Sequence, residues 1–348
     1  MEIMNNKKQE KMLSVDDKNY LQLKNLIEGQ LETFELKELI GSGSESHVYK
    51  SIIKKANKPV SMKIIYNKKK HNKNKNEIEI ANKLKNNNIV KFFGMKSFKD
   101  NMQDFDCIIM EYSKFGNLRQ FQKNILKRNY MTESILCYFT YMILKGLKYI
   151  HMSKIAHLDI KPQNIIIDET LNLKIIDFSI SIDYRDLNKI KLPHQGTENY
   201  MAPEVINSKT INANDLNKVD LFSLGVMLYN FAFGSYPYES TNEGWDKEEV
   251  EEKMFDSIEM DKSQYSSYFI DFLQKLLEKD INKRIDIRQA MDHYWVKGAE
   301  ILIIKVLYFY NFRLIKSLEE KEKINNANCF LSYLIFDYFQ NYNTYICK

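Results

Sequence analysis

The stretch HLDIKPQNIIIDETLNLKIIDFS, residues 157–179, contains four polar groups whose types and spacing suit one kind of chemistry. Asp159 can accept a hydroxyl proton, and Lys161, two positions later, can neutralise charge on a phosphoryl group that is being transferred. Asn164 and Asp177 supply an amide and a carboxylate, which are oxygen ligands of the kind that Mg²⁺ prefers. The stretch therefore indicates a site for phosphoryl transfer.

The sequence around this stretch predicts a small β part followed by a larger helical part. Short segments of alternating apolar residues at 34–66 and 88–113 predict five strands, with a helix at 77–85 between the third and the fourth. After Gly116 the apolar residues recur at helical spacing, above all over 133–153, 220–234 and 268–278. This order predicts an α+β fold of two lobes. The N-lobe, at about 34–112, is expected to be mainly antiparallel β with one main helix, and the C-lobe, at about 116–297, mostly α.

Further motifs stand in a fixed order on both sides of the catalytic stretch. The string GSGSES at 41–46 is weak evidence alone, because two nearby glycines after a strand are usually a tight turn. The ordered set consists of Gly41, Gly43, Val48, Lys63, Glu77, HLDIKPQN, DFS, GTENYMAPE, DLFSLG and Arg284. Over roughly residues 34–297 this set resembles the eukaryotic protein kinases, so the expected architecture is a bilobal protein kinase fold.

The resemblance implies ATP and Mg²⁺ as cofactors, with Mn²⁺ as an alternative metal, and gives each motif residue a role. Asp159 would be the catalytic base, Lys161 would neutralise the moving phosphoryl group, and Asn164 and Asp177 would bind the metal. The implied ATP-binding residues are Ile40, Gly41, Gly43, Val48, Ser61, Lys63, Glu77, Met110, Glu111, Ser113 and Asn117.

Within the implied ATP site, Lys63 paired with Glu77 would fix the phosphates. Met110 would be the gatekeeper at the hinge. Glu111 and Ser113 would offer backbone hydrogen bonds to adenine, and Asn117 would lie near the ribose.

Three other residues are implied to have structural roles. Glu204 and Arg284 resemble a buried ion pair that anchors the activation segment, the stretch from Asp177 to Glu204. Asp220 would accept backbone hydrogen bonds from the catalytic loop, residues 157–164.

The sequence departs from the family pattern at three positions. Ser46 and Ser179 replace glycines, which would stiffen the backbone wherever the native φ is positive. Leu158 replaces an Arg that binds the phosphate of a modified activation segment in many kinases. The stretch RDLNKIKLPHQG between Tyr184 and Thr197 contains no Ser, Thr or Tyr. We therefore expect activity that does not depend on conventional phosphorylation of this segment, with Ser179, Ser181, Tyr184, Thr197 and Tyr200 as less usual acceptors.

The function implied by the resemblance is transfer of the γ-phosphoryl group of MgATP to Ser or Thr of protein substrates. Alternatives are a dual-specificity kinase, a nucleotide-binding pseudokinase scaffold and, as a weaker rival, a small-molecule kinase. Kinases that select Arg-rich targets usually place acidic side chains at the positions occupied here by Asn117, Gln163 and Asn230. We therefore expect weak or no preference for basic residues before the acceptor.

Composition excludes other classes of function. The net charge of +5 is mild for 348 residues, and the basic residues are scattered apart from the run at 68–75, so no nucleic-acid partner is expected. That run is expected to be a solvated loop, with a docking patch for an acidic partner as the alternative. Four widely separated cysteines and no signal peptide or spanning segment favour a protein of the cytoplasm, or of both cytoplasm and nucleus, without membrane association.

The two ends of the chain are expected to extend the domain. Residues 1–33 are helix-prone, with Leu21, Leu23, Leu26, Ile27 and Leu31 as a docking face, or form a partly disordered tail. Residues 298–348 are expected to be helices packed on the domain of a monomer, with a dimer contact as the alternative. The Asn, Lys and Ile bias of the chain is typical of A/T-rich protozoan genomes, such as those of malaria-type parasites.

Overall fold

The computed structural model describes residues 25, 27–29, 31–43, 46–67, 71–99, 104–126, 131–168, 170, 172–237 and 264–298. These residues fall into two compact units. Unit 1 holds the described residues of Met1–His71 and Lys91–Tyr112, and unit 2 holds those of Asn72–Val90 and Ser113–Lys348. The predicted division into a small β part and a larger, mainly helical part is confirmed.

Unit 1 is built on a five-stranded antiparallel sheet, and all five predicted strands are confirmed. The strands are β1 (Phe34–Ser42), β2 (Ser46–Ile53), β3 (Lys58–Asn67), β4 (Phe92–Lys99) and β5 (Asp104–Glu111), in the order β1-β2-β3-β5-β4. Asn57 makes the turn between β2 and β3 with a φ of 48°, a left-handed conformation that Asn tolerates better than most residues.

One face of this sheet forms the apolar core of unit 1, because side chains alternate between the two faces of a strand. The core contains Ile27, Leu36, Tyr49, Met62, Ile64, Phe105 and Cys107. Ile27 comes from the N-terminal extension and is fully buried, while Glu28 accepts a hydrogen bond of 2.9 Å from the amide of Leu36. The predicted docking face is thus confirmed at Ile27 and Leu31, and its other members lie outside the described residues.

Unit 2 is mainly helical. Its α-helices are α1 (His71–Lys83), α2 (Leu118–Phe121), α3 (Glu133–Met152), α4 (Pro203–Ile206), α5 (Asn217–Phe233), α6 (Ser267–Leu276) and α7 (Ile287–Asp292). Helix α1 begins at His71 rather than at residue 77, so the prediction that residues 71–75 form a loop was wrong. Lysine is a good helix former, and such a run can therefore extend a helix that Ile80 anchors in the core.

Helices α3 and α5 form the centre of the core of unit 2, and glycines allow neighbouring segments to approach them closely. A Cβ atom on Gly146 of α3 would lie 2.9 Å from the carbonyl oxygen of Asn88. On Gly225 of α5 it would lie 2.9 Å from Cβ of Leu276 in α6. Both distances are too short for carbon, so each glycine is needed for close packing.

Three short antiparallel strand pairs hold the loops of unit 2. They are β6 (Ile155–Ala156) with β9 (Ile182–Asp183), β7 (Ile165–Ile167) with β8 (Leu173–Ile175), and β10 (Lys189–Lys191) with β11 (Thr210–Asn212). The β7–β8 hairpin folds the chain back on itself, so that the segment carrying Asn164 lies beside the segment carrying Asp177. The β10–β11 pair was not predicted.

Residues 299–348 of the predicted C-terminal extension, and Lys68 to Lys70 of the basic run, lie outside the described residues. The exact domain boundaries stay predictions. Among the helices of the described ranges, none is long and apolar enough to cross a bilayer.

Candidate catalytic site

The loop that carries the catalytic residues is shaped by Asp220 of α5. Its carboxylate accepts hydrogen bonds from the amides of His157, at 2.9 Å, and Leu158, at 2.7 Å. These bonds hold Leu158 at a φ of 67°, a left-handed conformation that costs a non-glycine residue about 1 kcal/mol or more. The predicted supporting role of Asp220 is confirmed. Strain of this kind commonly marks functional loops.

Ionisation of Asp220 is maintained although the side chain is completely buried. Burial alone would raise its pKa, but the 2.8 Å contact with Nε2 of His151 and the amide bond from His157 outweigh burial and lower the pKa. A carboxylate is a stronger acceptor than a neutral acid, so the lowered pKa preserves the loop's geometry.

His157 connects the catalytic loop to the segment that precedes Asp177. Its Nε2 donates to the carbonyl oxygen of Ile176 at 2.9 Å, and its Nδ1 accepts from the amide of Asp159 at 3.2 Å. One ring nitrogen therefore donates and the other accepts, as in neutral imidazole. The ring also packs edge-on against Phe178, with centroids 5.1 Å apart.

The carboxylate of Asp159 is held by three neighbouring side chains. Its Oδ2 accepts from Nζ of Lys161 at 2.6 Å and from Nδ2 of Asn164 at 2.9 Å. Its Oδ1 accepts from the amide and the hydroxyl of Thr197, at 3.1 and 2.9 Å. Nζ of Lys161 also donates to the Thr197 hydroxyl at 2.7 Å. Asp159 is therefore a fixed proton acceptor with a cation directly beside it, as general-base catalysis near a phosphate requires.

Asn164 and Asp177 have the chemistry of a magnesium site. Nδ2 of Asn164 is turned to Asp159, and the other branch of this amide, Oδ1, has no donor among the described residues. The amide of Ile176 donates to the carbonyl oxygen of Asn164 at 3.0 Å, which places Asp177 close to Asn164. Asp177 has a φ of 67°. An amide oxygen and a carboxylate fit Mg²⁺, which binds few protein ligands and takes the rest from phosphates and water.

The predicted ATP-binding residues of unit 1 lie on neighbouring strands. Gly41 is opposite Val48 and Val48 is opposite Lys63, while Ser61 is opposite Met110. Directly opposed residues share a face of the sheet, as do residues two apart on one strand. The structure therefore places Val48, Ser61, Lys63 and Met110 on the sheet face away from the apolar core. Ile40 and Gly43 lie close by, on β1 and at its end.

The other predicted ATP-binding residues lie at the end of β5 or in unit 2. The amide of Glu111 donates to the carbonyl oxygen of Lys91, the residue before β4, at 2.9 Å. The hydroxyl of Ser113 donates to the carbonyl oxygen of Ile167 at 2.5 Å. Asn117 caps α2, because its side chain accepts from the amide of Gln120. Glu77 is a buried residue of α1, and its pairing with Lys63 stays a prediction.

The predicted pair of Glu204 and Arg284 is confirmed as a buried, bidentate ion pair. The two oxygens of Glu204 accept from Nη1 and Nη2 of Arg284 at 2.6 and 3.0 Å. The guanidinium also donates to the carbonyl oxygens of Lys218, Glu278 and Lys279. It lies over the ring of Phe222, 4.8 Å from the centroid. All five donors of the guanidinium are therefore used.

Two sequence interpretations need correction or addition. Ser179 does not have a positive φ, so the backbone strain expected at this position is absent. In the DFS motif the residue with a left-handed backbone is Asp177. Thr197 was considered only as a phosphate acceptor, whereas its contacts identify it as a positioning residue for Asp159. Its place in the string GTENYMAPE was the signal for a functional role.

Comparison with known proteins agrees with this geometry. Residues 34–296 match the family described as Protein kinase domain. The chain is 31% identical to serine/threonine-protein kinase pakH of Dictyostelium discoideum, over 79% of this chain and 52% of that protein. It is 34% identical to serine/threonine-protein kinase ULK3 of Xenopus laevis, over 77% of this chain and 56% of that protein. It is 29% identical to an Aurora kinase of Dictyostelium discoideum, over 77% of this chain and 66% of that protein. The chain thus spans about half to two thirds of the length of these relatives. With a matching family and a catalytic loop of the required geometry, the chain belongs to the protein kinase domain family.

Proposed function

We propose that this protein is an ATP-dependent protein kinase that phosphorylates Ser or Thr. The observation that carries the proposal is that Lys161, Asn164 and Thr197 hold the carboxylate of Asp159 in place. Asn164 and Asp177 carry oxygens of the kind that bind Mg²⁺. The relatives named as serine/threonine-protein kinases support the choice of acceptor.

The proposed reaction moves one phosphoryl group and one proton. The hydroxyl oxygen of the acceptor forms a bond to the γ-phosphorus of ATP, while the bond from that phosphorus to the β–γ bridging oxygen breaks and its electron pair leaves with ADP. Asp159 takes the hydroxyl proton, and Lys161 stabilises the charge of the phosphoryl group in transfer. General-base assistance of this kind typically contributes ~10²- to 10⁴-fold to the rate.

Asn164 and Asp177 would hold Mg²⁺, with Mn²⁺ as an alternative, and the ion would supply charge neutralisation on the nucleotide phosphates. The contribution of the chain is to fix these two ligands. Asn164 is fixed through its bonds to Asp159, and Asp177 through the backbone bond from Ile176 to Asn164.

We further propose that activity does not require phosphorylation of the activation segment. Leu158, at the position of a phosphate-binding Arg in many kinases, is packed against the apolar core. The side chains of Ser181, Tyr184 and Tyr200 are only 2%, 3% and 3% exposed, so these hydroxyls are poor acceptors for another enzyme. Thr197 is bonded to the catalytic base itself.

Apolar packing and backbone hydrogen bonds also hold the activation segment in place. Leu192 is 1% exposed, and its amide donates to the carbonyl oxygen of Lys209 at 3.0 Å. Beside it, β10 pairs with β11. These contacts support a segment that is ordered without a phosphate.

The test is a phosphotransfer assay on a generic protein substrate with ATP and Mg²⁺. Expression in bacteria followed by phosphatase treatment gives the unphosphorylated protein, and we expect it to be active. Asp159→Asn should reduce transfer by at least ~10²-fold, because the amide cannot take the proton. Lys63→Met should be similarly impaired, whereas the exposed-site control Asp292→Asn should retain activity.

Two results would contradict the proposal in distinguishable ways. Nucleotide binding without any transfer would identify a scaffold rather than an enzyme. Transfer that disappears on phosphatase treatment would leave the kinase assignment intact and overturn only the independence from phosphorylation. We also propose, on the sequence alone, a location in the cytoplasm or in both cytoplasm and nucleus, a monomeric state and a protozoan origin.

A further inference from the structure

The guanidinium of Arg119 in α2 is a half-buried cation surrounded by neutral groups. Its Nη2 donates to the hydroxyl of Tyr200 at 3.1 Å and to Oδ1 of Asn230 at 2.8 Å, and its Nη1 donates to Oε1 of Gln122 at 2.8 Å. It also lies 5.5 Å from the ring centroid of Phe231. The described ranges contain no carboxylate paired with it.

Within the described ranges, the charge of Arg119 is therefore fixed in place but not neutralised. Three of the five guanidinium donors have acceptors among the described residues, and the remaining two do not. Arg284 of the same unit differs, since all of its donors are used and it faces Glu204. Tyr200 does not supply a negative charge, because burial and the hydroxyl of Tyr236 raise its pKa well above the usual range.

The cluster lies close to the catalytic base along the chain. The amide of Tyr200 donates to the carbonyl oxygen of Thr197 at 2.8 Å, and the hydroxyl of Thr197 donates to Asp159. Three residues of extended chain span at most about 10 Å. A substrate held in extended form with its hydroxyl at Asp159 would therefore bring a side chain two to five residues from the acceptor within reach of Arg119.

We infer that Arg119 selects substrates that carry an acidic side chain, Asp or Glu, within about five residues of the phosphorylated Ser or Thr. This inference rests on the proposed kinase function and deepens it. A carboxylate would occupy the remaining guanidinium donors and neutralise the buried charge. Arg is well suited to this role, because its planar donors match the two oxygens of a carboxylate.

The experiment compares kcat/KM for a set of peptides with one Ser acceptor, in which Glu, Ala or Arg is placed in turn at each position from five before to five after the Ser. At the best position we expect Glu to exceed Ala by about 10-fold, as for one charge-assisted hydrogen bond at a partly solvated site. Arg at that position should be worse than Ala. Arg119→Gln should bring the Glu-to-Ala ratio close to one, and Arg119→Lys should retain part of it.

Two further variants separate selection from structure. Asn230→Asp places a carboxylate against the guanidinium and should abolish the preference while keeping Arg119. Arg288→Gln removes an exposed Arg of α7 and should leave the Glu-to-Ala ratio unchanged. The ratio is insensitive to an overall loss of activity, so a less active variant remains informative. A flat ratio at all positions in the unmodified protein, or a preference that persists in Arg119→Gln, overturns the inference.

Failure of the proposed function has a different signature. If no peptide receives phosphate, the affinity of the Glu and Ala peptides is measured by fluorescence anisotropy on the same variants. Tighter binding of the Glu peptide that depends on Arg119 would support the selection site without catalysis. Equal binding of both peptides would overturn it.

Discussion

Breaking the buried ion pair of Glu204 and Arg284 should destabilise the protein more when the arginine is replaced than when the glutamate is replaced. Arg284→Met leaves the Glu204 carboxylate, which is 3% exposed, without any donor among the described residues. It also removes the donors to the carbonyl oxygens of Lys218, Glu278 and Lys279. Glu204→Gln is milder, since the guanidinium keeps these three carbonyls and the face of Phe222.

The magnitude follows from the cost of an unpaired buried charge, about 3 to 5 kcal/mol. We expect Arg284→Met near the upper value and Glu204→Gln near the lower, measured as the free energy of unfolding in urea. In a thermal melt Arg284→Met should lower the Tm by on the order of 10 °C. The double variant Glu204→Leu with Arg284→Met removes both charges, so it should be more stable than Arg284→Met alone.

Two outcomes would refute this reasoning. A cost below about 1 kcal/mol for Arg284→Met would mean that the carboxylate finds water or another donor. A double variant whose cost equals the sum of the costs of Glu204→Leu alone and Arg284→Met alone would mean that the residues contribute independently, contrary to a paired charge.

Three further changes test other parts of unit 2. Asp220→Asn should destabilise the protein by about 3 kcal/mol at pH 7. Because the pKa of Asp220 is lowered in the folded protein, this difference in unfolding free energy should be present above about pH 4 and disappear as the pH falls through the folded pKa. Chemical unfolding at several pH values measures it, and a difference that does not change with pH would contradict the lowered pKa. Gly225→Ala should cost about 1 to 3 kcal/mol by separating α5 from α6, while the control Gly298→Ala, with nothing within 4 Å of the added carbon, should be neutral in the same melt. Thr197→Val should reduce kcat by about 10- to 100-fold through loss of its hydroxyl bonds to the base, and Thr197→Ser should restore most of it; equal activity of both variants would remove Thr197 from the site.

The parts of the site that were predictable from the sequence are those encoded by local spacing. Asp159, Lys161, Asn164 and Asp177 occur in one stretch of the chain, and a hairpin of two short strands is enough to bring them together. The five strands of unit 1 were predictable because alternation of apolar residues marks a sheet with one buried face.

The parts that were missed depend on contacts between distant segments. Arg119 and Asn230 are 111 positions apart, and nothing in either local sequence indicates that they meet. The start of α1 was missed because a Lys-rich and Asn-rich run has no apolar periodicity. The left-handed conformation of Leu158 was not foreseen, since it is imposed by Asp220 from another helix.

The strand pair β10–β11 has a consequence for control of the proposed activity. Backbone hydrogen bonds join this stretch to its neighbour and the side chain of Leu192 is buried, so a covalent modification would have little disorder to remove. If activity is independent of phosphorylation as proposed, this protein is active as soon as it folds. Its output would then be governed by how much of it is made, how fast it is degraded, and which targets it encounters.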